Sequence, residues 1–324
     1  MNKTVIILIK IIVIIAIIFY LFSTNKLTHG QLAQVSKIKN MIFFIISGLI
    51  FYATQLLSAV RLKLLLKTVN IMVNIKKSFA LTMVGNLFNL IAPGATGGDF
   101  AKGLYLLKAE EGLKGKSSGV IIMDRVIGLL SLMFLSVFFA VYLLSSPRLS
   151  SGVNRQALTV VVAVVTTALL IILSIFSLGA KPAIRIRLKR FTSFLFGDNY
   201  FYQFAEGLGR TMQYRKMLLV AFFISCVIHV LSLAGILVFG AMVTEILPSI
   251  ITQAAISSLV LLAGIIPVTP GNIGWTELIA SFGWSAVGSS AGGAIFFYRR
   301  IATVLCSIIG GFFYILFSHE NLQT

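Results

Sequence analysis

Charged side chains inside or beside apolar segments are the residues of this sequence that could do chemistry. A bilayer tolerates such charges only where protein or a wet cavity surrounds them, so each one marks a candidate functional site. An arginine offers a planar fork that fits a phosphate, and a neighbouring acid can hold that fork or carry a proton. The residues of this kind are Asp99, Lys102, Asp124, Arg125, Glu277, Arg299 and Arg300.

Proline and glycine interrupt two apolar segments next to these charges. Residues 79–92 would rise only about 21 Å as a helix, against a hydrocarbon core of roughly 30 Å. Residues 251–266 are similarly short, and both runs lead into a Pro-Gly break. Because proline ends a helix and glycine permits tight turns, we predict that each segment enters the membrane and turns back. The break residues are Pro93, Gly94, Gly97 and Gly98 in the first segment and Pro270, Gly271, Asn272 and Gly274 in the second.

The composition requires a membrane to cover the apolar surface. Of the 324 residues, 58% are hydrophobic and 11% are charged, more apolar surface than a soluble chain of this length needs. We predict an all-α polytopic helical membrane protein with six full transmembrane helices and two re-entrant broken hairpins. The full spans are predicted at residues 5–22, 41–60, 119–144, 157–178, 217–243 and 294–317, and the hairpins at 79–107 and 251–289.

The second half of the chain echoes the first. Each half reads as two spans, a broken hairpin and a span with arginine in its apolar sequence. Three full crossings per half is an odd number, so we predict that residues 1–144 and 157–318 form an inverted-topology repeat, with an outer loop at 145–156 and a short tail at 319–324. The two breaks would then meet near the bilayer middle from opposite faces, as in many secondary transporters.

Basic residues give the predicted orientation. The formal net charge is +18, and many Lys and Arg residues fall at 61–77, 108–116 and 179–216. Because inner loops carry positive charge, we predict a cytoplasmic-membrane protein with cytoplasmic N- and C-termini, and we set nucleic acid aside as a partner. Segments 179–216 and 61–77 either lie on anionic headgroups as amphipathic structure or carry charges that serve topology alone.

Each charged candidate also has a structural interpretation. Asp99 and Glu277 would cap the helices that follow the breaks, and Asp124 with Arg125 would lie near the inner end of a span, where long side chains reach water. Matched breaks with matched arginines favour a shared polar cavity over this interpretation.

Asn86 and Asn89 lie three residues apart, on one helix face before the first break. They would either line the same cavity or bond across helices, and the sequence does not separate these two roles.

Patterns of metal or nucleotide chemistry are missing from the sequence. Cys226 and Cys306 lie in apolar runs, the three His residues have no ligand spacing, and there is no phosphate loop or nucleophile elbow. We therefore expect no metal, no cofactor and no catalytic residue, which favours a transporter over an enzyme.

The functional hypothesis is a translocase for a phosphate-bearing lipid headgroup. Opened glycine backbone and half-helix N-termini supply N–H donors for an anionic or zwitterionic headgroup, and the arginines supply the charge. The acids would hold the arginines when the site is empty, or carry protons that drive release. The alternative is a membrane-embedded glycosyltransferase or lipid-modifying enzyme in which a carboxylate acts as general base, and a third class is a non-transporting scaffold.

The same residues carry a family resemblance. The chain contains GNLFNLIAPGATGGDFAKGLYLL, MDRVIGLL, PVTPGNIGWTE and YRRIATVLCSIIGG, in that order. Together these segments resemble the lysylphosphatidylglycerol synthase transmembrane-domain family of flippase-like membrane proteins. The resemblance covers nearly all of the chain, and the paired glycine-proline motifs carry most of it.

This resemblance implies lipid translocation. In the bacterial synthases that name the family, the membrane part is implied to flip aminoacylated phosphatidylglycerol after a separate cytosolic domain has made it. Only residues 319–324 follow the last expected segment here, so we expect translocation without lysyl-lipid synthesis. Archaeal relatives have been linked to glycosyl transfer, which keeps the enzyme alternative open. The expected partners are phospholipid, aminoacyl-lipid or polyprenyl-phosphate lipid, with a cytosolic lipid-modifying enzyme and a homo-oligomer as further candidates.

Overall fold

The protein is helical throughout the part described by a computed structural model, which covers residues 33–35, 37–91, 98–99, 102–103, 114–145, 155–179, 200–243, 247–266, 268–269 and 271–321. No strand occurs in these ranges, which confirms the predicted all-α class for them. The α-helices are α1 (Met41–Lys67), α2 (Ile75–Ile91), α3 (Lys114–Ser145), α4 (Arg155–Gly179), α5 (Tyr200–Gln213), α6 (Arg215–Leu237), α7 (Ile250–Ala263), α8 (Trp275–Ser285) and α9 (Gly292–Asn321). Short 3-10 segments, Ile38–Asn40 and Val238–Met242, adjoin α1 and α6.

Five helices of the described ranges, α1, α3, α4, α6 and α9, are long and apolar enough to cross a membrane. They correspond to the predicted spans at 41–60, 119–144, 157–178, 217–243 and 294–317. The predicted span at 5–22 lies outside the described residues, so the count of six remains a prediction. Helix α7 is apolar but shorter than these five helices.

Large apolar side chains cover the outside of these helices. Exposed residues include Leu49 on α1, Val164 on α4, Phe223 on α6 and Ile308 on α9. An apolar surface that extends over several helices needs lipid rather than water around it. The protein is therefore a multi-pass membrane protein.

Helix α1 runs to Lys67, seven residues beyond the predicted end of its span. The predicted span stops at residue 60 and leaves Arg61 to a basic loop, but Arg61 is buried inside the helix bundle. An acid on α3 neutralises it, as described below, so the charge does not force the helix out of the apolar region.

Helices α1 and α6 pack side by side in antiparallel directions. Near one end of the pair, Ser47 Oγ donates to Gly235 O (3.4 Å). Near the other end, Thr68 Oγ1 lies 2.8 Å from Oγ1 of Thr211, in the last turn of α5, which leads into α6. Between them, Arg61 Nη1 donates to Ser225 Oγ (2.7 Å). Residue numbers thus rise along α1 while they fall along α6.

A buried aromatic cluster holds the second half together. Trp284 of α8 and Tyr298 of α9 have no exposed surface, and Phe239, just after α6, lies with its ring centroid 6.1 Å from that of Tyr298. Aromatic side chains of this size fix the relative positions of the helices that carry them. This packing holds α8 against α9, which carries the arginine pair.

The basic linker predicted at 179–216 contains helix α5, and residues 180–199 lie outside the described ranges. Helix α5 packs against the first turns of α3, and Glu206 forms ion pairs with Lys116 of α3 (3.2 Å) and with Arg210 (2.9 Å). Some of the linker's charges therefore pair within the protein.

Candidate functional site

The second break is a tight reversal between α7 and α8. Gly271 (φ 56°), Asn272 (φ 56°) and Gly274 (φ 80°) all adopt left-handed backbone conformations, which glycine and asparagine accept most readily. Trp275 Nε1 donates to Ala263 O (3.2 Å), which joins the end of α7 to the start of α8. The sequence of the turn thus makes α7 and α8 an antiparallel pair.

Arg300 of α9 ties this turn together. Its Nε donates to Glu277 Oε1 (3.0 Å), Nη1 to Gly271 O (2.6 Å), and Nη2 to Asn272 O (2.9 Å) and Thr276 Oγ1 (2.7 Å). Glu277 is buried and also accepts from Thr276 Oγ1 (3.0 Å). The Arg300 side chain donates four hydrogen bonds, which use most of the N–H donors that an arginine has. Arg300 is therefore a positioning residue for the turn.

The first break shows a matching acid and arginine. Arg125 of α3 forms an ion pair with Asp99, and Lys102 Nζ lies 3.9 Å from the same carboxylate. The Arg125 side chain is 33% exposed, against 20% for Arg300. Asp99 with Arg125 at the first break and Glu277 with Arg300 at the second thus form comparable ion pairs.

The return segment of the first break lies directly against α2. A Cβ atom added to Gly98 would overlap the carbonyl group of Gly85, so only glycine fits this approach. The Gly98 N–H donates to Asn89 Oδ1 (2.7 Å). Asn86 Nδ2 donates to Gln55 Oε1 of α1 (2.5 Å). Both asparagines therefore bond to other segments, one to the return segment and one across helices.

The second turn contacts the end of α2, just before the first break. A Cβ atom added to Gly271 would lie 2.8 Å from Leu90 O and 3.4 Å from Asn89 O, at the end of α2. The second turn therefore rests on the backbone that leads into the first break. Of the predicted break residues, Pro93, Gly94, Gly97 and Pro270 lie outside the described ranges.

Asp124 belongs to a different cluster from the one the sequence suggested. Its carboxylate binds Arg61 of α1 through two hydrogen bonds, from Nε to Oδ1 (2.6 Å) and from Nη2 to Oδ2 (3.0 Å). Ser225 of α6 accepts from the same guanidinium. Asp124 and Arg61 are both buried, so this pair joins α1, α3 and α6 and leaves Arg125, the next residue, to the first break.

Arg299 is the predicted site residue with the fewest contacts. It is half-buried, and in the described part of the chain it forms no hydrogen bond and no ion pair. Its electrostatic neighbours are Arg300, which repels it, and Glu277, which attracts it. Near the second turn, two arginines therefore face one described carboxylate.

Comparison with known proteins gives the family. The sequence profile described as the lysylphosphatidylglycerol synthase TM region matches residues 7–310. The chain belongs to this family. Among curated proteins, the chain is similar to a UPF0104 membrane protein of Methanocaldococcus jannaschii, with 22% identity over 312 residues that cover 92% of each chain. No solved structure matches this chain.

Two polar residues of the chain that form interhelical bonds were not among the predicted site residues. Arg61 was assigned to a basic loop, and Gln55 was passed over within an apolar span. The signal for each was a polar side chain in or next to a predicted span, where it needs a partner. In the described ranges, no group of three His, Cys, Asp or Glu residues could hold a metal ion.

Proposed function

We propose that the protein is a lipid translocase that moves a phosphate-bearing headgroup between leaflets, through a cavity at the two breaks. The contact between Gly271 and the end of α2 is the observation that carries the proposal. It brings the second turn to the end of the helix that leads into the first break, and an acid–arginine pair belongs to each break. Irregular backbone and paired charges inside a membrane protein are tolerated where they line a polar cavity.

The two halves are proposed to be an inverted repeat. In the sequence match, α1 corresponds to α6, α2 to α7 and α3 to α9. Equivalent helices of an inverted repeat run in opposite directions, as α1 and α6 do. Packing is also exchanged between the halves, since α2 packs on α9 and α7 packs on α3. This exchange is what a two-fold axis in the membrane plane would produce.

In the proposed mechanism, the acids hold the two arginines when no lipid is bound. Arg125, the more exposed arginine, meets the headgroup phosphate at the first break and exchanges its bond to Asp99 for one to the lipid. Arg300 keeps the second turn in shape through its bonds to backbone carbonyl groups. The lipid tails would follow along the apolar outer faces of the helices.

The proposed location is the cytoplasmic membrane, with both termini cytoplasmic. Helix α5 would then lie at the inner surface, beside the first turns of α3. A cytosolic enzyme that makes or modifies the lipid would deliver it on this side.

The proposal is tested with the purified full chain in vesicles that carry a labelled phospholipid. We expect wild-type protein to exchange lipid between leaflets and Arg125→Ala to slow the exchange about tenfold or more, as for the loss of a charge-assisted bond. Arg215→Ala, on an exposed arginine at the start of α6, is the matched control and should keep the wild-type rate. Equal rates for protein-free vesicles and wild-type vesicles would contradict translocation.

The same vesicles test the enzyme alternative. A new covalent lipid product that appears on addition of a sugar-phosphate donor, without leaflet exchange, would replace the translocase proposal. Because both described carboxylates at the breaks are bonded to arginine, Asp99 to Arg125 and Glu277 to Arg300, neither is free to act as general base in this structure.

A further inference from the structure

We infer that Arg299, rather than Arg300, is the residue of α9 that binds a phosphate group at the second break. The inference rests on the proposed function for the source of that phosphate, a lipid headgroup. It assigns separate roles to two adjacent arginines that the sequence does not distinguish.

Helix position directs Arg299 into the protein. Residues 295, 299, 302 and 306 share one face of α9, because a helix repeats every 3.6 residues. Ile295, Ala302 and Cys306 on this face are buried. Cys306 O accepts from Tyr52 Oη of α1 (3.1 Å), so the face looks towards α1. The Arg299 side chain therefore leaves α9 on its inward side.

Arg299 nevertheless keeps part of its surface exposed. The other residues of this face are covered by protein, so the uncovered part of the Arg299 side chain is the opening at which a ligand would reach this face. This opening lies beside the second turn, because Arg300, the next residue, bonds to Gly271 O and Asn272 O.

The charge balance around this opening favours an anion. Glu277 is already bonded to Arg300 and Thr276, and Arg299 adds a second positive charge that has no hydrogen-bonded partner among the described residues. An unpaired guanidinium in a membrane protein is costly, and a bound anion would remove that cost. Five N–H donors in a planar fork match phosphate oxygens in particular.

Arg300 is a poorer candidate for the same role. Binding a phosphate would take its donors away from Glu277, Gly271 and Asn272 and leave buried acceptors unsatisfied. Arg299 binds an anion without breaking any described hydrogen bond. The site therefore combines one arginine that holds the turn and one that meets the ligand.

The inference is tested by binding to the purified full chain in detergent. The probes are dihexanoyl phosphatidic acid, dihexanoylglycerol, which lacks the phosphate, and inorganic phosphate. We expect Arg299→Gln to weaken binding of dihexanoyl phosphatidic acid about tenfold or more, Arg299→Lys to weaken it less, and Arg215→Gln, the exposed control, to leave it unchanged. If excess inorganic phosphate displaces bound dihexanoyl phosphatidic acid, the site is assigned to free phosphate. If dihexanoyl phosphatidic acid stays bound, the site is assigned to the lipid.

Thermal unfolding without ligand separates a binding role from a structural one. Removal of an unpaired charge should leave the melting temperature of Arg299→Gln equal to or above that of the wild type, whereas Arg300→Gln should melt lower. A lowered melting temperature for Arg299→Gln, or unchanged binding of dihexanoyl phosphatidic acid, would overturn the inference.

The vesicle assay keeps this inference distinct from the proposed function. If Arg299→Gln loses binding while wild-type vesicles show no leaflet exchange, the phosphate site stands and the translocase proposal fails. If wild-type vesicles exchange lipid and Arg299→Gln both binds and exchanges as the wild type does, the phosphate site fails and the translocase proposal stands.

Discussion

The ion pair between Arg61 and Asp124 shows how single residues stabilise the membrane interior of this protein. Two hydrogen bonds join the side chains, and Ser225 accepts a third from the guanidinium. Both partners are buried, so each charge depends on the other. Removing one partner leaves an uncompensated charge in a low-dielectric region, which costs far more than the pair itself contributes.

We expect Arg61→Met and Asp124→Asn to destabilise the protein strongly, by about 3 to 5 kcal/mol, because each leaves one buried group without its partner. The measurement is the melting temperature of each variant in the same detergent.

Lys63→Met is the matched control, since Lys63 is exposed on the same helix, and it should melt close to the wild type. The double variant Arg61→Met with Asp124→Leu should recover much of the lost stability. Equal melting temperatures for Arg61→Met and Lys63→Met would show that the pair does not stabilise the bundle.

At the scale of elements, close glycine contacts decide how α5 sits on α3. A Cβ atom added to Gly207 would lie 2.5 Å from Lys116 O, and one added to Gly119 would lie 2.6 Å from Phe204 O. Only glycine allows two helix backbones to approach so closely. The amphipathic helix of the basic linker is thus a fixed part of the bundle's packing.

Gly207→Ala should push α5 away from α3, because the added carbon meets backbone that cannot rotate aside. We expect a loss of about 1 to 3 kcal/mol from overpacking and faster hydrogen exchange in α5. Gly103→Ala is the control, since its added carbon would lie 3.9 Å from Ile121 Cδ1. Exchange in α5 that is equally slow in both variants would mean that α5 does not depend on this contact.

For the molecule as a whole, the proposed function depends on the contact between the second turn and the end of α2. Gly271 needs glycine for two reasons, its left-handed backbone and its approach to Leu90 O (2.8 Å). Gly288 shares the first requirement (φ 82°) but has open space around it. Substitutions at these two glycines therefore separate the effect of backbone strain from the effect of moving the second turn away from α2.

Gly271→Ala should lower the free energy of unfolding by about 1 to 3 kcal/mol more than Gly288→Ala. Both substitutions strain the left-handed backbone, but only the alanine at 271 also meets a backbone carbonyl group. The melting temperatures of the two variants give the comparison. Under the proposed function, Gly271→Ala should also slow leaflet exchange while Gly288→Ala does not. Equal effects of both substitutions on stability and exchange would remove the contact from the mechanism.

The predicted orientation is tested in a variant whose free cysteines, Cys226 and Cys306, are replaced by alanine. Ile38 (85% exposed) and Met72 (75% exposed) flank α1. With cytoplasmic termini, Ile38→Cys should react with a membrane-impermeant maleimide on intact cells, and Met72→Cys only after permeabilisation. The reverse pattern would invert the orientation.

Local sequence predicted the five long apolar helices and the turn at the second break. The apolar runs predicted spans that correspond to five helices of the described ranges. The short run that ends in Pro-Gly predicted the reversal between α7 and α8, because glycine and proline act on the local backbone conformation. The end of α1 was predicted too early, since the partner that buries Arg61 lies 63 residues away in the chain.

The sequence by itself determined an all-helical membrane protein with two glycine-rich breaks and matched acids and arginines, because composition and backbone preference are local properties. Tertiary structure alone decided which charges meet. Adjacent residues on a helix point about 100° apart. Asp124 therefore contacts Arg61 while Arg125 contacts Asp99. In the same way, Arg300 bonds to the second turn while Arg299 lies on the inward face of α9. Only the rotation of each packed helix about its axis fixes these directions.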